Sequence, residues 1–289
     1  MKIFVTGATG FTGSRVVPLL LQSGFEVRCL YRATSDRSLL PQPEIEWTLG
    51  DVSATQELSV SMRGTDALVN IASLGFGHAD SIITAAKSAG IERAVFVSTT
   101  AIFTQLNAGS KTVRVAAENA IQASGLKYTI LRPTMIYGSD RDRNICRLIR
   151  WLRILPFFPV FGDGNYLQQP IYVDDVAQAI LGCLKSDRTI NNSYNIAGKY
   201  PLTYNQVIDT IARQLNKRVW KIHVPSTPVV SMLRLFERIR FPFPIKSEQV
   251  LRLNENKSFT YEEAQKDFNY QPYSFDEGVK LELQQMKGL

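Results

Sequence analysis

Through the first 130 positions, apolar residues fall alternately in short β-branched or aromatic runs and in stretches with a helical repeat. Lys2-Ile-Phe-Val-Thr6 is a run of the first kind, closed by Gly7, and predicts a buried strand. Residues 12–23 carry Val16, Val17, Leu20 and Leu21 on one broad face and stop at Gly24, which predicts a helix. Pro18 removes one backbone bond from that helix and predicts a local kink. The alternation continues with a strand at Glu26–Tyr31, a helix near 55–63, a strand at Ala67–Ile71 and a helix near 79–89. A strand at Arg93–Ser98, a long helix at about 110–124 and a strand at Tyr128–Arg132 complete it. Five strands spaced by helices predict βαβ units, hence an α/β fold with a doubly wound parallel sheet covered on both faces.

After Gly138 the pattern degrades. Arg141, Arg143, Arg147, Arg150 and Arg153 surround Trp151, and Pro156-Phe-Phe-Pro159 follows. Tyr172–Leu184 predicts a strand end and then a helix, and Ser193–Ile196 a further strand. Residues 201–289 mix helical stretches with breaks at Pro225, Pro228, Pro242 and Pro244. This half predicts a smaller, mostly helical cap whose segments cross back to the first domain.

Composition narrows the classes. The 289 residues are 45% hydrophobic and 20% charged, as in an ordinary globular protein. The longest apolar run, Ile154–Phe161, is far short of the roughly 18–20 residues that span a bilayer. With no charged leader ahead of an apolar stretch, the expected location is cytoplasmic. Cys29, Cys146 and Cys183 are far apart and unpaired in spacing, which indicates neither a disulfide framework nor a metal site. Net charge is +1 over residues 1–130 and +6 over 131–289. No helix-turn-helix or zinc-finger spacing accompanies that charge, so a nucleotide-linked substrate or a membrane surface fits better than nucleic acid.

The strongest chemical signal is Thr6-Gly7-Ala8-Thr9-Gly10-Phe11-Thr12-Gly13, placed between the first strand and the first helix. Gly7 permits a tight turn, Gly10 lets backbone amides approach a pyrophosphate, and Gly13 allows helix and strand to pack closely. The positive end of the helix then faces the phosphates. Dinucleotide binding by Gly7, Thr9, Gly10, Phe11, Thr12 and Gly13 is therefore expected. A carboxylate at the end of the second strand would select NAD, but this chain has Leu30-Tyr31-Arg32 there. Arg32 could bind a 2′-phosphate by a charge-assisted bond worth about 1.5–3 kcal/mol, which favours NADP, with NAD as the alternative.

With these residues in place, the sequence resembles the extended and atypical short-chain dehydrogenase/reductases, the group that contains NAD-dependent epimerase/dehydratases. The resemblance rests on the glycine turn and on Gly50-Asp51-Val52, Asn70-Ile-Ala72, Phe96-Val-Ser-Thr-Thr100, Arg132-Pro-Thr-Met-Ile-Tyr-Gly138 and Ile171-Tyr-Val-Asp-Asp-Val-Ala177, in that order. Asn195-Ile-Ala-Gly198 followed by Pro201-Leu-Thr203 is similar to the family's return to its cap. It implies a Rossmann-type NAD(P)-binding domain at 1–138 plus about 171–200, and a substrate-binding cap at about 139–170 plus 201–289.

By the same resemblance, Asp51 and Val52 would lie against adenine and Ala72 near the adenosine ribose. Thr99, Pro133 and Ile136 would lie at the nicotinamide, and Thr100 at the catalytic Ser/Thr position. Asp174 and Asp175 are expected to make a helix cap and an ion pair. The family's Tyr and Lys, four residues apart, fall at Ser110 and Arg114 when the long helix is anchored on Glu118. No tyrosine occurs between Tyr31 and Tyr128, so the phenol that would pass a proton is absent. Arg114 stays charged and is a poor proton relay. Tyr137 and Tyr172, in segments expected near the cleft, are left as candidate substrate residues although packing is the favoured role for each, and Lys111 is expected in solvent.

Two readings of function follow. The first is an NADP-dependent reductase or epimerase/dehydratase-like enzyme on a nucleotide sugar or other polar carbonyl, with Thr100, Ser110 and Arg114 as its catalytic candidates. The second is a non-catalytic NADP(H)-binding regulator or assembly subunit. Thr100, Pro133 and Ile136 at the nicotinamide end incline the sequence reading toward the enzyme. A homodimer is expected through Val113, Ala116, Ala117, Ala120 and Ile121 on the long helix. Basic amphipathic stretches at Arg147–Ile154 and Leu233–Ile239 allow peripheral membrane contact.

Overall fold

The computed structural model describes residues 1–106, 109–142, 144–243 and 246–286. These fall into two compact units. One comprises 1–134, 173–197 and 260–271, and the other 135–172, 198–259 and the chain from 272.

The first unit is built on strands β1 (Lys2–Thr6), β2 (Glu26–Tyr31), β3 (Glu46–Leu49), β4 (Ala67–Asn70), β5 (Arg93–Val97) and β6 (Lys127–Pro133). With the strand Asn192–Ile196 they make a seven-stranded parallel sheet, ordered Asn192–Ile196, β6, β5, β4, β1, β2, β3. The helices are α1 (Gly13–Gln22), α2 (Thr55–Met62), α3 (Ala79–Ser88) and α4 (Gly109–Gln122), joined later by Val173–Lys185 and Glu262–Phe268. The central strands are covered on both faces, so their sequences are nearly all apolar: Ile3, Phe4, Val5, Leu68, Val69, Val95 and Phe96 are all fully buried. The order reverses between β1 and β4, and in open α/β sheets the crevice at such a reversal is where a ligand sits.

The doubly wound parallel sheet matches the sequence reading, and several details differ. β3 was not foreseen; it is a four-residue edge strand, and none of its residues is buried. Residues 260–271, expected in the cap, cluster with the first unit. There Phe268 meets Tyr194 edge to face at 5.3 Å and presses against Gly182, and the Tyr270 hydroxyl donates to the Ala197 carbonyl. α1 runs through Pro18 as one helix.

The second unit is mostly helical. Its core gathers Ile145, Ile149 and Leu152 of helix Ile145–Ile154, Val207, Ile208 and Ile211 of helix Tyr204–Gln214, and Val279 and Leu283 of helix Phe275–Gln285. A parallel strand pair, Phe157–Phe161 with Trp220–Val224, flanks this core. A smaller cluster joins helix Ser226–Arg238 to helix Ser247–Leu253 through Val230, Leu233 and Val250. Among the described residues, no helix is long and apolar enough to cross a membrane.

Candidate functional site: a glycine cradle at the ends of strands one and four

The glycine turn leaves β1 and enters α1 with its three glycines in distinct roles. Gly7 has a left-handed backbone, φ +71°, and a Cβ there would stand 2.8 Å from the Ala72 amide nitrogen. The turn closes with the Gly10 amide donating to the Gly7 carbonyl at 3.1 Å. At Gly13 an added Cβ would lie 2.2 Å from the Gly7 oxygen and 2.4 Å from the Ala8 oxygen, so only glycine lets the helix start against the turn. At Gly10 an added Cβ meets nothing nearer than the Gly7 oxygen at 3.1 Å, and this side of the loop is open. The first amides of α1 have no intrahelical acceptor, as at any helix start, and the helix dipole makes that end attractive to anions. A bare main-chain cradle beside a helix start fits a diphosphate.

Two residues that sequence reading quoted only within motifs fix this cradle. Thr6 Oγ1 donates to Asn70 Oδ1 at 2.7 Å in a fully buried setting. Asn70 Nδ2 in turn donates to the Ala72 carbonyl at 3.0 Å, and the Ala72 amide donates back to Thr6 Oγ1 at 3.4 Å. The three bonds tie the C-terminal ends of β1 and β4 and hold Ala72 against Gly7. A 64-residue separation hides the pair from any local pattern, although a Thr and an Asn at two buried strand ends are unusual enough to mark it.

At the end of β2, Arg32 is exposed, and its amide donates to Ser35 Oγ in a tight turn. Arg37 lies over the Tyr31 ring at 4.5 Å and near Trp47 at 5.5 Å, stacked on the strand end. Asp51 accepts from the Ser53 amide at 2.9 Å and hydroxyl at 2.6 Å. Those bonds, with the charges of Arg32 and His78, hold its carboxyl below the usual range. Val52 packs on the core, and its carbonyl accepts from Ser81.

The catalytic candidates are placed less favourably for chemistry. Thr99 caps a short 3-10 turn, Thr100–Phe103, by accepting from the Ala101 amide at 3.2 Å. Thr100 is buried, and its hydroxyl donates to the Pro133 carbonyl at 3.3 Å. Ser110 lies in the first turn of α4, and its carbonyl accepts from Arg114 at 3.5 Å. The Arg114 guanidinium covers Gly75, where a Cβ would meet it at 3.0 Å. Lys111 is not solvated as expected: its ammonium donates to the Thr104 carbonyl at 2.6 Å. On α4, Ala117 and Ile121 are buried in the unit's own core, which leaves Val113 and Ala116 outside and Ala120 part-covered.

Beneath this region lies a buried ion pair. Glu118 accepts two bonds from Arg132 to Oε2, at 2.9 and 2.6 Å, and one from Ser98 Oγ to Oε1 at 2.5 Å. Asp174 and Asp175 start helix Val173–Lys185. Asp174 pairs with Arg15 at 3.4 Å, and burial raises its carboxyl despite that charge; Asp175 is buried.

Ile136, Tyr137 and Tyr172 belong to the second unit. Ile136 pairs with Ile171 in a two-residue strand contact. Tyr137 and Tyr172 are core residues and not exposed donors: their rings meet at 5.6 Å, the Tyr137 hydroxyl donates to the Phe275 carbonyl, and the Tyr172 hydroxyl accepts from Gln285. Beside them, Asp142, Cys146 and Glu282 bring their polar atoms within 4.8 Å of one another. Asp142 accepts from the Asn144 and Cys146 amides and so caps helix Ile145–Ile154. Glu282 is fully buried; desolvation and the neighbouring Asp142 push its carboxyl up to about 10, so it is protonated. The trio is a capping aspartate, a buried thiol and a buried glutamic acid gathered at a helix start.

A family model described as NAD(P)H-binding matches residues 7–187. Subunit 9 of the NADH dehydrogenase [ubiquinone] 1 alpha subcomplex, mitochondrial, of Arabidopsis thaliana is 25% identical over 282 residues, 89% of this chain and 69% of its own. The 4-hydroxy-2-methyl-3-oxo-4-farnesyl-3,4-dihydroquinoline-1-oxide ketoreductase of Stigmatella aurantiaca is 28% identical over 63% of this chain and 64% of its own. The UDP-glucose 4-epimerase of Thermotoga maritima, solved with UDP-glucose, superposes with a TM-score of 0.80 at 18% identity, covering 100% of this chain and 99% of that one.

Proposed function

The chain belongs to the NAD(P)H-binding family, as an atypical extended short-chain dehydrogenase/reductase, and from that premise we propose that it holds NADP(H) without turning it over on its own. The observation that carries this reading is the contrast between a complete glycine cradle and a proton-donor position filled by Ser110 and Arg114. The cofactor supplies a hydride when a donor completes the reaction. Here Thr100 Oγ is buried and bonded to Pro133, and Tyr137 and Tyr172 are core residues. Gly7, Gly10 and Gly13 would receive the diphosphate, and Arg32 the 2′-phosphate. Asp51, Val52 and Ala72 would flank the adenosine, while Thr99, Pro133 and Ile136 would take the nicotinamide. The mitochondrial NADH dehydrogenase subunit of Arabidopsis thaliana, part of a larger complex by its name, supports a role as a nucleotide-loaded subunit or regulator.

A second reading is favoured by the ketoreductase of Stigmatella aurantiaca: reduction of a carbonyl with a substitute proton donor. One experiment separates the two. Fluorescence titration with NADPH and NADH is expected to show binding with preference for NADPH, and NADPH is expected to persist in the presence of a panel of carbonyl compounds. Steady NADPH oxidation that disappears in Ser110→Ala or Thr100→Ala overturns the first reading in favour of the second. Absence of any nucleotide binding overturns both.

A further inference from the structure

Helix Ser226–Arg238 is amphipathic on two counts. Its inner face, Val230 and Leu233, packs on Val250. A second apolar row, Met232, Leu235 and Ile239, follows the i, i+3, i+7 spacing of one helical face and, among the described residues, joins no buried cluster: Leu235 is 55% exposed and Ile239 61%. The chain then bends at Arg240, with a left-handed backbone of φ +55°, and adds Phe241 and Phe243, which stack on Phe236 at 5.2 and 5.6 Å yet remain outward. Large exposed apolar side chains grouped in this way mark a contact surface, whereas single ones do not.

Charge identifies what the surface meets. Arg234, Arg238, Arg240 and Lys246 border the apolar row, and among the described residues none of them forms an ion pair with a carboxylate. The nearby acids are bonded to other groups, and Glu237 feels Lys246 and Arg234 only through their charge. Glu237 accepts from the Ser247 amide at 2.8 Å and hydroxyl at 2.9 Å, and Glu248 pairs with Arg252 at 2.7 Å. The occupant must therefore offer anionic groups and, just beyond them, apolar depth. Helix Ile145–Ile154, the other basic amphipathic stretch, spends its apolar face on the unit's core, where Ile145, Leu148, Ile149 and Leu152 are buried.

We propose that Met232, Leu235, Ile239, Phe241 and Phe243, bordered by Arg234, Arg238, Arg240 and Lys246, form a docking surface for an anionic lipid bilayer. The apolar row enters the headgroup–acyl boundary while the arginines keep their guanidinium groups among the phosphates. This surface does not depend on the nucleotide reading, and its test leaves that reading intact.

The experiment is flotation of the full chain with vesicles of phosphatidylcholine and phosphatidylglycerol in equal parts, against vesicles of phosphatidylcholine alone. Binding is expected only to the anionic vesicles and is expected to weaken as salt rises. R234S/R238S should weaken it about fivefold per arginine removed. L235D/I239D should abolish it while keeping wild-type melting and NADPH binding, since both side chains lie outside the core. No flotation with anionic vesicles at low salt overturns the proposal, as does flotation indifferent to L235D/I239D. So does a dimer in light scattering that L235D/I239D dissociates without any vesicle binding, because the row would then belong to a second copy of the chain.

Discussion

Gly13→Ala tests the cradle at its tightest point. The new Cβ would stand 2.2 Å from the Gly7 oxygen, 2.4 Å from the Ala8 oxygen and 2.6 Å from the Ala8 carbonyl carbon. Comfortable contact needs about 3.5 Å, so helix and turn must part by about 1 Å. Alanine would otherwise stabilise a helix by about 0.5–1 kcal/mol over glycine. Overpacking costs about 1–3 kcal/mol, and here every obstacle is backbone with no rotamer to yield. Net destabilisation of about 2 kcal/mol is expected. The displaced turn also misaims its amides, and losing one charge-assisted bond to phosphate costs about 1.5–3 kcal/mol, roughly tenfold to hundredfold in NADPH affinity. Urea denaturation with and without NADPH reads both effects. At a hundredfold excess over its dissociation constant, NADPH should stabilise the wild type by about 2.7 kcal/mol, and the variant at that same concentration by only about 0.4–1.4 kcal/mol. A variant that unfolds with the wild type and gains as much from NADPH would refute the steric argument.

Three further outcomes are expected. Arg32→Ser should lower the preference for NADPH over NADH about tenfold to hundredfold, measured by paired titrations; an unchanged ratio removes Arg32 from the 2′-phosphate. Glu118→Ala strands Arg132, whose side chain is 17% exposed, and should cost about 3–5 kcal/mol in denaturant melts; a cost near zero would mean the pair is already solvated. Glu282, raised from an ordinary value of 4.5 to about 10, holds its proton in the folded state but loses it when unfolded near neutrality. Stability from this group is full below about pH 4.5 and falls by about 1.4 kcal/mol per unit as pH climbs toward about 10. Glu282→Gln should therefore stabilise more at about pH 8 than at about pH 5, and equal gains at both would place the carboxyl in water.

Much of the first unit was legible because its strands are buried on both faces and read as unbroken apolar runs. β1, with Ile3, Phe4 and Val5 in succession, is the clearest case. β3 escaped because Glu46-Trp-Thr-Leu49 sits at an edge, alternates weakly and follows a proline-rich loop. The pairing of Phe157–Phe161 with Trp220–Val224 escaped for another reason: Pro159 argues against a strand, and the partner lies some sixty positions along the chain. At the site, the glycines announced themselves because their requirement is local, a left-handed turn and a missing side chain. The bonds from Thr6 to Asn70 and from Thr100 to Pro133 join segments that only folding brings together. Tyr137 and Tyr172 hold the packing role favoured for them rather than the substrate role, meeting edge to face inside a core.

The sheet has a bearing on how the protein can be cut. Its first unit is threaded from three lengths of chain, and the last strand it needs, Asn192–Ile196, lies beyond residue 187, where the family match stops. A fragment ending there would leave β6 with an open flank, and Gly182 without the helix that covers it. The smallest self-sufficient nucleotide binder is therefore no leading piece of this polypeptide. Engineers wanting one would have to splice distant stretches together.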